Sequence, residues 1–192
     1  MKKYLLIATL FLTSSCVETV VLGGVTTGVI LNQNKSVSDT KSDLIIETKI
    51  QAQFTKEGLK NPANSIGVTV DEQRVLLTGF VDDEKIISKA NEISWKVSGV
   101  KEVIDEIQFN ENKTALGTTL NYIADTAITT QINSKLLFNK KISSSNFEVI
   151  TVNKIVYLIG IAKNQSEINI ASDIAAKTSG VKKVISHVRV GD

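Results

Sequence analysis

A chain of 192 residues with 42% hydrophobic and 22% charged side chains has ordinary globular composition, with room for one medium domain or two small ones. Its one Cys excludes an internal disulfide, and its one His excludes a metal site built on paired His ligands. The formal charge of +2 conceals a division: residues 43–110 hold 8 Lys and Arg against 12 Asp and Glu, whereas residues 125–192 hold 9 against 5, so an anionic partner, if there is one, should prefer the second half; two simply solvated surfaces are the other reading.

The chain opens with Met1, Lys2 and Lys3, then an uncharged apolar run over 4–12, then Thr13, Ser14, Ser15 and Cys16. A basic start, a short apolar stretch and small residues form the pattern of an export signal, too short to span a bilayer stably. The sole Cys at its end resembles a bacterial lipoprotein signal, in which that residue becomes the acylated first residue of the mature chain. Thr13 holds the position three before the Cys where the usual motif has Leu, and an ordinary cleaved signal is the other reading. Val17 after the Cys, rather than Asp, resembles an outer-membrane address. Residues 17–42, rich in Gly and then in Ser, Asn and Lys, read as a flexible tether.

From Asp43 the pattern becomes regular. Asp43 or Ser42 is positioned to cap a helix whose apolar residues Ile46, Ile50 and Phe54 recur at spacing four. Gly58 and Pro62 end it. Ile66, Val68 and Val70 alternate as a strand, the polar turn at 71–74 comes next, and Val75, Leu77 and Gly79 begin the return strand of a hairpin. Asp82, Asp83 and Glu84 stand at the start of a second helix, where the helix dipole favours acids. That helix carries Ile86, Ala90, Ile93 and Val97 on one face and stops at Ser98 and Gly99, with Gly99 as a left-handed cap. Val100, Val103, Ile104 and Ile107 lie in a last strand.

Residues 111–124 read as a linker, and the same order then recurs over 125–192. Asp125 caps a helix with Ile128, Ile132 and Leu136. Phe147, Val149 and Thr151 alternate, Asn153 and Lys154 turn, and Val156, Leu158 and Gly160 return. Asn164 or Ser166 starts the second helix, with Ile168, Ala171 and Ala175 inward, and Gly180 ends it. Gly79 and Gly160, like Gly99 and Gly180, are 81 positions apart, while Asp43 and Asp125, Thr48 and Thr130, and Ile50 and Ile132 are 82 apart. The chain is an internal duplication. The expected fold class is α+β: two tandem α-β-β-α-β repeats, each a small three-stranded sheet packed against two helices.

Residues of reactive type are not arranged for catalysis. Gly23 and Gly24 are not followed by the Gly-Lys-Ser/Thr of a phosphate loop. His187 lies in an alternating strand with no nucleophile pattern nearby and reads as a surface or packing residue. Asp82, Asp83 and Glu84 are better explained by their place at a helix start than as a cation site. Gly79 and Gly160 suit a strand bulge or a close helix–sheet approach. The expectation is a protein without catalytic residues, cofactor or metal.

The order α-β-β-α-β, the hairpin residues Val75, Leu77 and Gly79 (again Val156, Leu158 and Gly160), and a helix closing on Ser-Gly-Val before a Val-Ile strand (98–104, again 179–185) resemble the BON domain. The resemblance covers residues 43–192, twice over. It implies a lipoprotein on the periplasmic face of the outer membrane that binds anionic phospholipid through the second repeat and supports envelope integrity. The contact is implied at the end of that repeat's first helix, which places Ser134, Leu137, Phe138, Lys140 and Lys141 at the membrane surface; Ala127 stands where a Trp is expected in lipid-binding relatives. Apolar side chains beside Lys suit an interface in which methyls and rings enter the headgroup boundary and ammonium groups meet phosphates. Core packing for Leu137 and Phe138, and a solvated loop for Lys140 and Lys141, are the other readings. Repeat one, being acidic, is a candidate for an envelope protein partner, and no nucleic acid is expected. A soluble periplasmic, stress-related protein-interaction or chaperone-like module is the alternative.

Overall fold

A computed structural model describes residues 37–60, 64–109 and 115–191, all within the compact unit Asn32–Asp192. Cys16, the expected signal over 1–16 and most of the expected tether lie outside the described residues. The elements run α1 (Val37–Lys56), β1 (Ser65–Asp71), β2 (Arg74–Val81), α2 (Glu84–Lys96), β3 (Glu102–Phe109), then α3 (Ala115–Leu137), a 3-10 turn (Ser144–Asn146), β4 (Phe147–Val152), β5 (Ile155–Ala162), α4 (Gln165–Ala176) and β6 (Lys183–Val190). Each repeat is one three-stranded sheet with the hairpin's return strand in the centre, β1-β2-β3 and β4-β5-β6. The hairpin pairs are antiparallel. The strand after the second helix returns parallel to the centre, as a helical crossover requires.

The spacing-four residues form the cores. Ile46, Ile50 and Phe54 of α1 are buried against Val68, Val75, Leu77 and Val81, and Ala90 of α2 closes the layer. Ile128, Ile132 and Leu136 of α3 do the same against Val149, Val156, Leu158 and Ala162, with Ala171 and Ala175 from α4. Each such Ile, Leu or Phe, fully buried, stabilises the fold by about 1.5–3 kcal/mol. The second helices start where the polar residues predict. Asp83 caps α2, accepting from Lys85 N at 2.9 Å, and Asn164 caps α4, accepting from Glu167 N at 3.1 Å.

The first helices differ from expectation. Helix α1 is already under way at Val37, within the stretch read as tether, and α3 at Ala115, within the stretch read as linker. Asp43 and Asp125 therefore sit inside helices and cap neither. Asp43 accepts from the backbone N–H groups of Glu72 (2.9 Å) and Gln73 (2.8 Å), and Asp125 from those of Asn153 (2.7 Å) and Lys154 (2.8 Å). These are the two-residue hairpin turns. Both residues of each turn have positive φ, 49° and 65° in repeat one, 51° and 66° in repeat two. This mirror-image turn matches the twist of the strands, and each carboxylate holds two of its backbone donors.

Gly79 and Gly160 sit in continuous strand register opposite Ile66 and Phe147, with no bulge. Their φ values are 108° and 146°, and a Cβ would stand 1.7 Å from the Ser65 carbonyl oxygen or 2.0 Å from that of Asn146. The close approach is thus between hairpin strands and not, as expected, between helix and sheet. Gly99 and Gly180 are not helix caps: each is the third residue of a turn after the helix, closed by Val100 N to Val97 O and by Val181 N to Thr178 O.

The helix-free faces of the two sheets pack on each other. Leu76 of β2 and Tyr157 and Ile159 of β5 are fully buried there, surrounded by Ile104, Ile150, Val152, Ile155 and Ile185. β2 is consequently buried along its whole length. Polar contacts cross the seam: Arg74 Nη1 donates to His187 O at 2.8 Å, and Gln108 Nε2 to the Tyr157 hydroxyl at 3.1 Å. His187 Nε2 meets Glu106 Oε1 at 3.0 Å. His187 is therefore a packing residue with a specific partner.

Candidate functional site

Helix α3 is unusual in its charge. Over 23 residues it holds only Asp125, buried in the hairpin turn, and Lys135. Its inward stripe is Asp125, Ile128, Ile132 and Leu136. The opposite stripe carries Ile123, Ala127, Thr130, Ser134 and Leu137, all exposed. Thr126 and Thr130 donate their hydroxyls back to the carbonyls of Tyr122 and Thr126, so that face is less polar than its sequence suggests.

At the end of the helix Leu137 is 62% and Phe138 82% exposed. Both were open to a packing role, and neither is in a core. Asn139 shapes the loop beyond the helix, its side-chain oxygen accepting from Lys141 N at 2.9 Å. The loop is held from the other side by the buried Glu167, which accepts from Ser143 N (3.2 Å) and Lys163 N (2.9 Å). Lys140 and Lys141 are exposed on this loop, and neither pairs with a carboxylate among the described residues. The negative end of the α3 dipole favours cations here. The structure thus brings Ser134, Leu137, Phe138, Lys140 and Lys141 together at one end of repeat two. Large apolar side chains left in water in such a cluster mark a contact surface more often than a defect.

Between this end of α3 and α4 runs an open groove of about 660 Å³, lined by Phe138, Ile170 and Ile174 together with the polar Ser134 and Asn139 and the charged Lys135, Asp173 and Lys177. Lys135 Nζ donates to Thr178 Oγ1 at 2.9 Å, and Lys177 pairs with Asp173. Sequence reasoning missed Ile170 and Ile174. Their spacing of four on α4, one step off the inward Ala171 and Ala175, was the signal available. At the other end of the repeat a polar cavity of about 460 Å³ gathers Lys154, Lys182 and Lys183 beside Asn121, Asn153 and Gln108. Repeat two therefore carries its positive charge at both ends of α3.

Two groups at the seam are electrostatically perturbed. The hydrogen bond from Arg74 (Nε to Glu102 Oε2, 2.7 Å) holds the Glu102 carboxyl below the usual carboxylate range. Burial pushes the Tyr157 phenol up; the Gln108 hydrogen bond opposes that shift and the nearby Glu106 charge adds to it. Among the described residues there is no cluster of three His, Cys, Asp or Glu side chains able to hold a metal ion, and no helix long and apolar enough to cross a membrane.

The family described as BON domain matches residues 42–111 and again 124–192. An uncharacterized protein in gshII 5'region of Anaplasma centrale is 40% identical over 149 residues, covering 77% of this chain and 94% of that one. The outer membrane lipoprotein DolP of Haemophilus influenzae is 30% identical over 181 residues, covering 94% of this chain and 91% of its own. Osmotically-inducible protein Y of Escherichia coli is 30% identical over 149 residues, 77% of this chain and 72% of that one.

Proposed function

The chain belongs to the BON-domain family, and from that premise we propose that it is a lipid-anchored envelope protein whose second repeat binds anionic phospholipid. The observation that carries the reading is the end of α3, a helix whose outer face is uncharged: exposed Leu137 and Phe138 stand next to Lys140 and Lys141 of the following loop, which pair with no carboxylate among the described residues. An apolar pair enters the headgroup boundary and the ammonium groups meet phosphates, each Lys contributing about 1 kcal/mol near an anionic surface. The excess of positive charge in repeat two favours the same partner. Anchoring through Cys16 on the periplasmic face of the outer membrane rests on the signal-like start of the chain. It is supported by the likeness to an outer membrane lipoprotein, which over 181 residues extends past the two repeats into the N-terminal segment. The role is binding in support of envelope integrity rather than catalysis.

A second reading concerns repeat one. Leu44, Ile45 and Trp95 are exposed on its helices amid net negative charge, which suits a protein partner in the envelope better than an anionic lipid.

Co-sedimentation of the Asn32–Asp192 unit with anionic and with zwitterionic vesicles across a salt series tests the lipid reading. This unit lacks Cys16, so any binding comes from the folded repeats. Binding to anionic vesicles that weakens with salt is expected; no binding to either vesicle type sinks it.

A further inference from the structure

The duplication supplies an internal comparison for the groove between α3 and α4. Repeat one has the same two helices, offset by 82 residues for the first and 81 for the second. Phe138 corresponds to Lys56, Asn139 to Glu57, Ile170 to Lys89 and Ile174 to Ile93. In repeat one Glu57, just past the end of α1, and Lys89 of α2 form an ion pair at 2.9 Å. Lys89 Nζ also approaches the Glu57 carbonyl at 3.5 Å. That pair bridges the space between the helices. In repeat two both members are gone, replaced by a neutral amide and an Ile, and an aromatic ring stands where Lys56 was. One scaffold therefore carries an ion pair between its helices in repeat one and, at the same positions in repeat two, a groove whose wall includes Phe138 and Ile170.

Ile170 lies outside the repeat-two core, half-buried, so its apolar side chain serves the groove rather than the sheet. The groove's volume of about 660 Å³ falls in the range of small-molecule sites, about 300–1,000 Å³. Asn139 lines the groove, and the loop it shapes carries Lys140 and Lys141 just beyond that lining, neither paired with a carboxylate among the described residues. A trough with Phe138, Ile170 and Ile174 in its wall, adjoining two exposed ammonium groups, complements a molecule with an apolar tail and an anionic head.

We propose that this groove seats one acyl chain of an anionic phospholipid, with the phosphate at Lys140 and Lys141. The proposal rests on the lipid reading of repeat two and sharpens it: α3 does not only lie on the headgroups but takes a single chain between itself and α4, and repeat one cannot.

The test restores the bridge of repeat one in repeat two. The double variant Asn139→Glu, Ile170→Lys leaves the net charge unchanged, so long-range attraction to an anionic surface is preserved while the groove is spanned. The probe is monomeric lysophosphatidylglycerol with a spin label on its acyl chain, added below its micelle concentration to the Asn32–Asp192 unit, which contains both cores and their shared seam. In the unsubstituted unit, amide signals of Ile170 and Ile174 should broaden and those of Lys89 and Ile93 should not. In the double variant affinity for the probe should fall at least tenfold. Ile170→Trp, which fills the groove without charge, should give the same loss and covers the case in which the double variant does not fold. If the unsubstituted unit sediments with vesicles but does not bind the monomeric probe, or if a folded variant binds it as well as the original, the groove assignment is overturned and the surface reading stands. If the unit does not sediment with anionic vesicles at all, the lipid reading itself has failed.

Discussion

Glu106 and His187 occupy the same position in the two repeats, 81 residues apart, and they hydrogen-bond to each other at 3.0 Å. A residue touches its own counterpart only near a symmetry axis, as in an isologous dimer. Leu76 and Tyr157 are also counterparts and share one buried cluster, as are Ile104 and Ile185. The two repeats are thus related by an approximate two-fold running through the sheet–sheet seam, a fused dimer rather than two beads on a linker.

The seam sets the cooperativity of the molecule. Among the described residues Tyr157 is the largest fully buried side chain, and it belongs to neither helix–sheet core. Tyr157→Ala should cost about 3–5 kcal/mol by cavity formation, a large share of a stability of about 5–15 kcal/mol. Because the loss falls on the seam, calorimetry should show the single transition of the parent giving way to two, one per repeat. Two transitions already present in the parent would contradict the coupling.

Asp43 and Asp125 hold hairpin turns built from residues at positive φ, where Gly, and after it Asn or Asp, is accommodated and other residues cost about 1–2 kcal/mol each. Removing the carboxylate strands two backbone donors. Asp43→Ala or Asp125→Ala should destabilise by about 2–3 kcal/mol in urea unfolding, since hydrogen bonds to charged groups contribute about 1.5–3 kcal/mol. Replacing Glu72 and Gln73 by Asn and Gly should recover roughly 1 kcal/mol of the Asp43→Ala loss, because that pair adopts the turn readily. An unaltered midpoint in both single variants would mean the carboxylates are incidental.

These aspartates show where the sequence was and was not legible. Ile46, Ile50 and Phe54 announce an amphipathic helix by their spacing alone, and the glycine pairs disclose the duplication. Asp43 just before that run reads as a cap because the pattern carries no sign that its partners lie 29 and 30 residues on, in a turn. The seam left a fainter trace. Val75, Leu76 and Leu77, and Val156 to Ile159, are unbroken apolar runs, the mark of a strand buried on both faces, yet which sheet covers the second face is a tertiary fact. The end of α3 was legible as Leu, Phe and two Lys; the groove beside it was not, because Ile170 looks like any core residue until α4 is oriented.

The seam also ties stability to pH at both extremes. Glu102 has its pKa lowered by the Arg74 hydrogen bond, so its contribution is present above the unfolded value of about 4.3 and is lost as pH falls through the folded one. Tyr157 has its pKa raised by burial, so stability is intact below the unfolded value of about 10 and declines as pH rises from there through the folded one. Glu102→Gln should flatten the acid limb of a stability–pH curve modestly, since that carboxylate is half-exposed. Tyr157→Phe should flatten the alkaline limb while costing about 1 kcal/mol at neutral pH for the lost Gln108 bond. Limbs identical to the parent's would locate the titrating groups elsewhere.

At the end of α3 the apolar and electrostatic parts of lipid binding can be separated, because they reside on adjacent residues that do not share partners. Neutralising Lys140 and Lys141 together by Gln removes about 2 kcal/mol of attraction to an anionic surface, so vesicle affinity at low salt should fall roughly thirtyfold, a tenfold change being about 1.4 kcal/mol. Because that attraction is screened, with a Debye length of about 10 Å at 0.1 M salt, the parent and the double Gln variant should converge as salt rises. Leu137→Glu acts differently. It removes an exposed methyl-bearing side chain and places a negative charge at the same depth, so affinity should drop at every salt concentration and convergence should not occur. Neither change touches the core, since Leu137 is 62% exposed and both lysines are on the loop, and thermal unfolding should be unchanged within about 0.5 kcal/mol. Parallel salt curves for parent and double Gln variant would show that the lysines do not meet the phosphates, and would move the electrostatic contact to the lysines gathered at the opposite end of the helix.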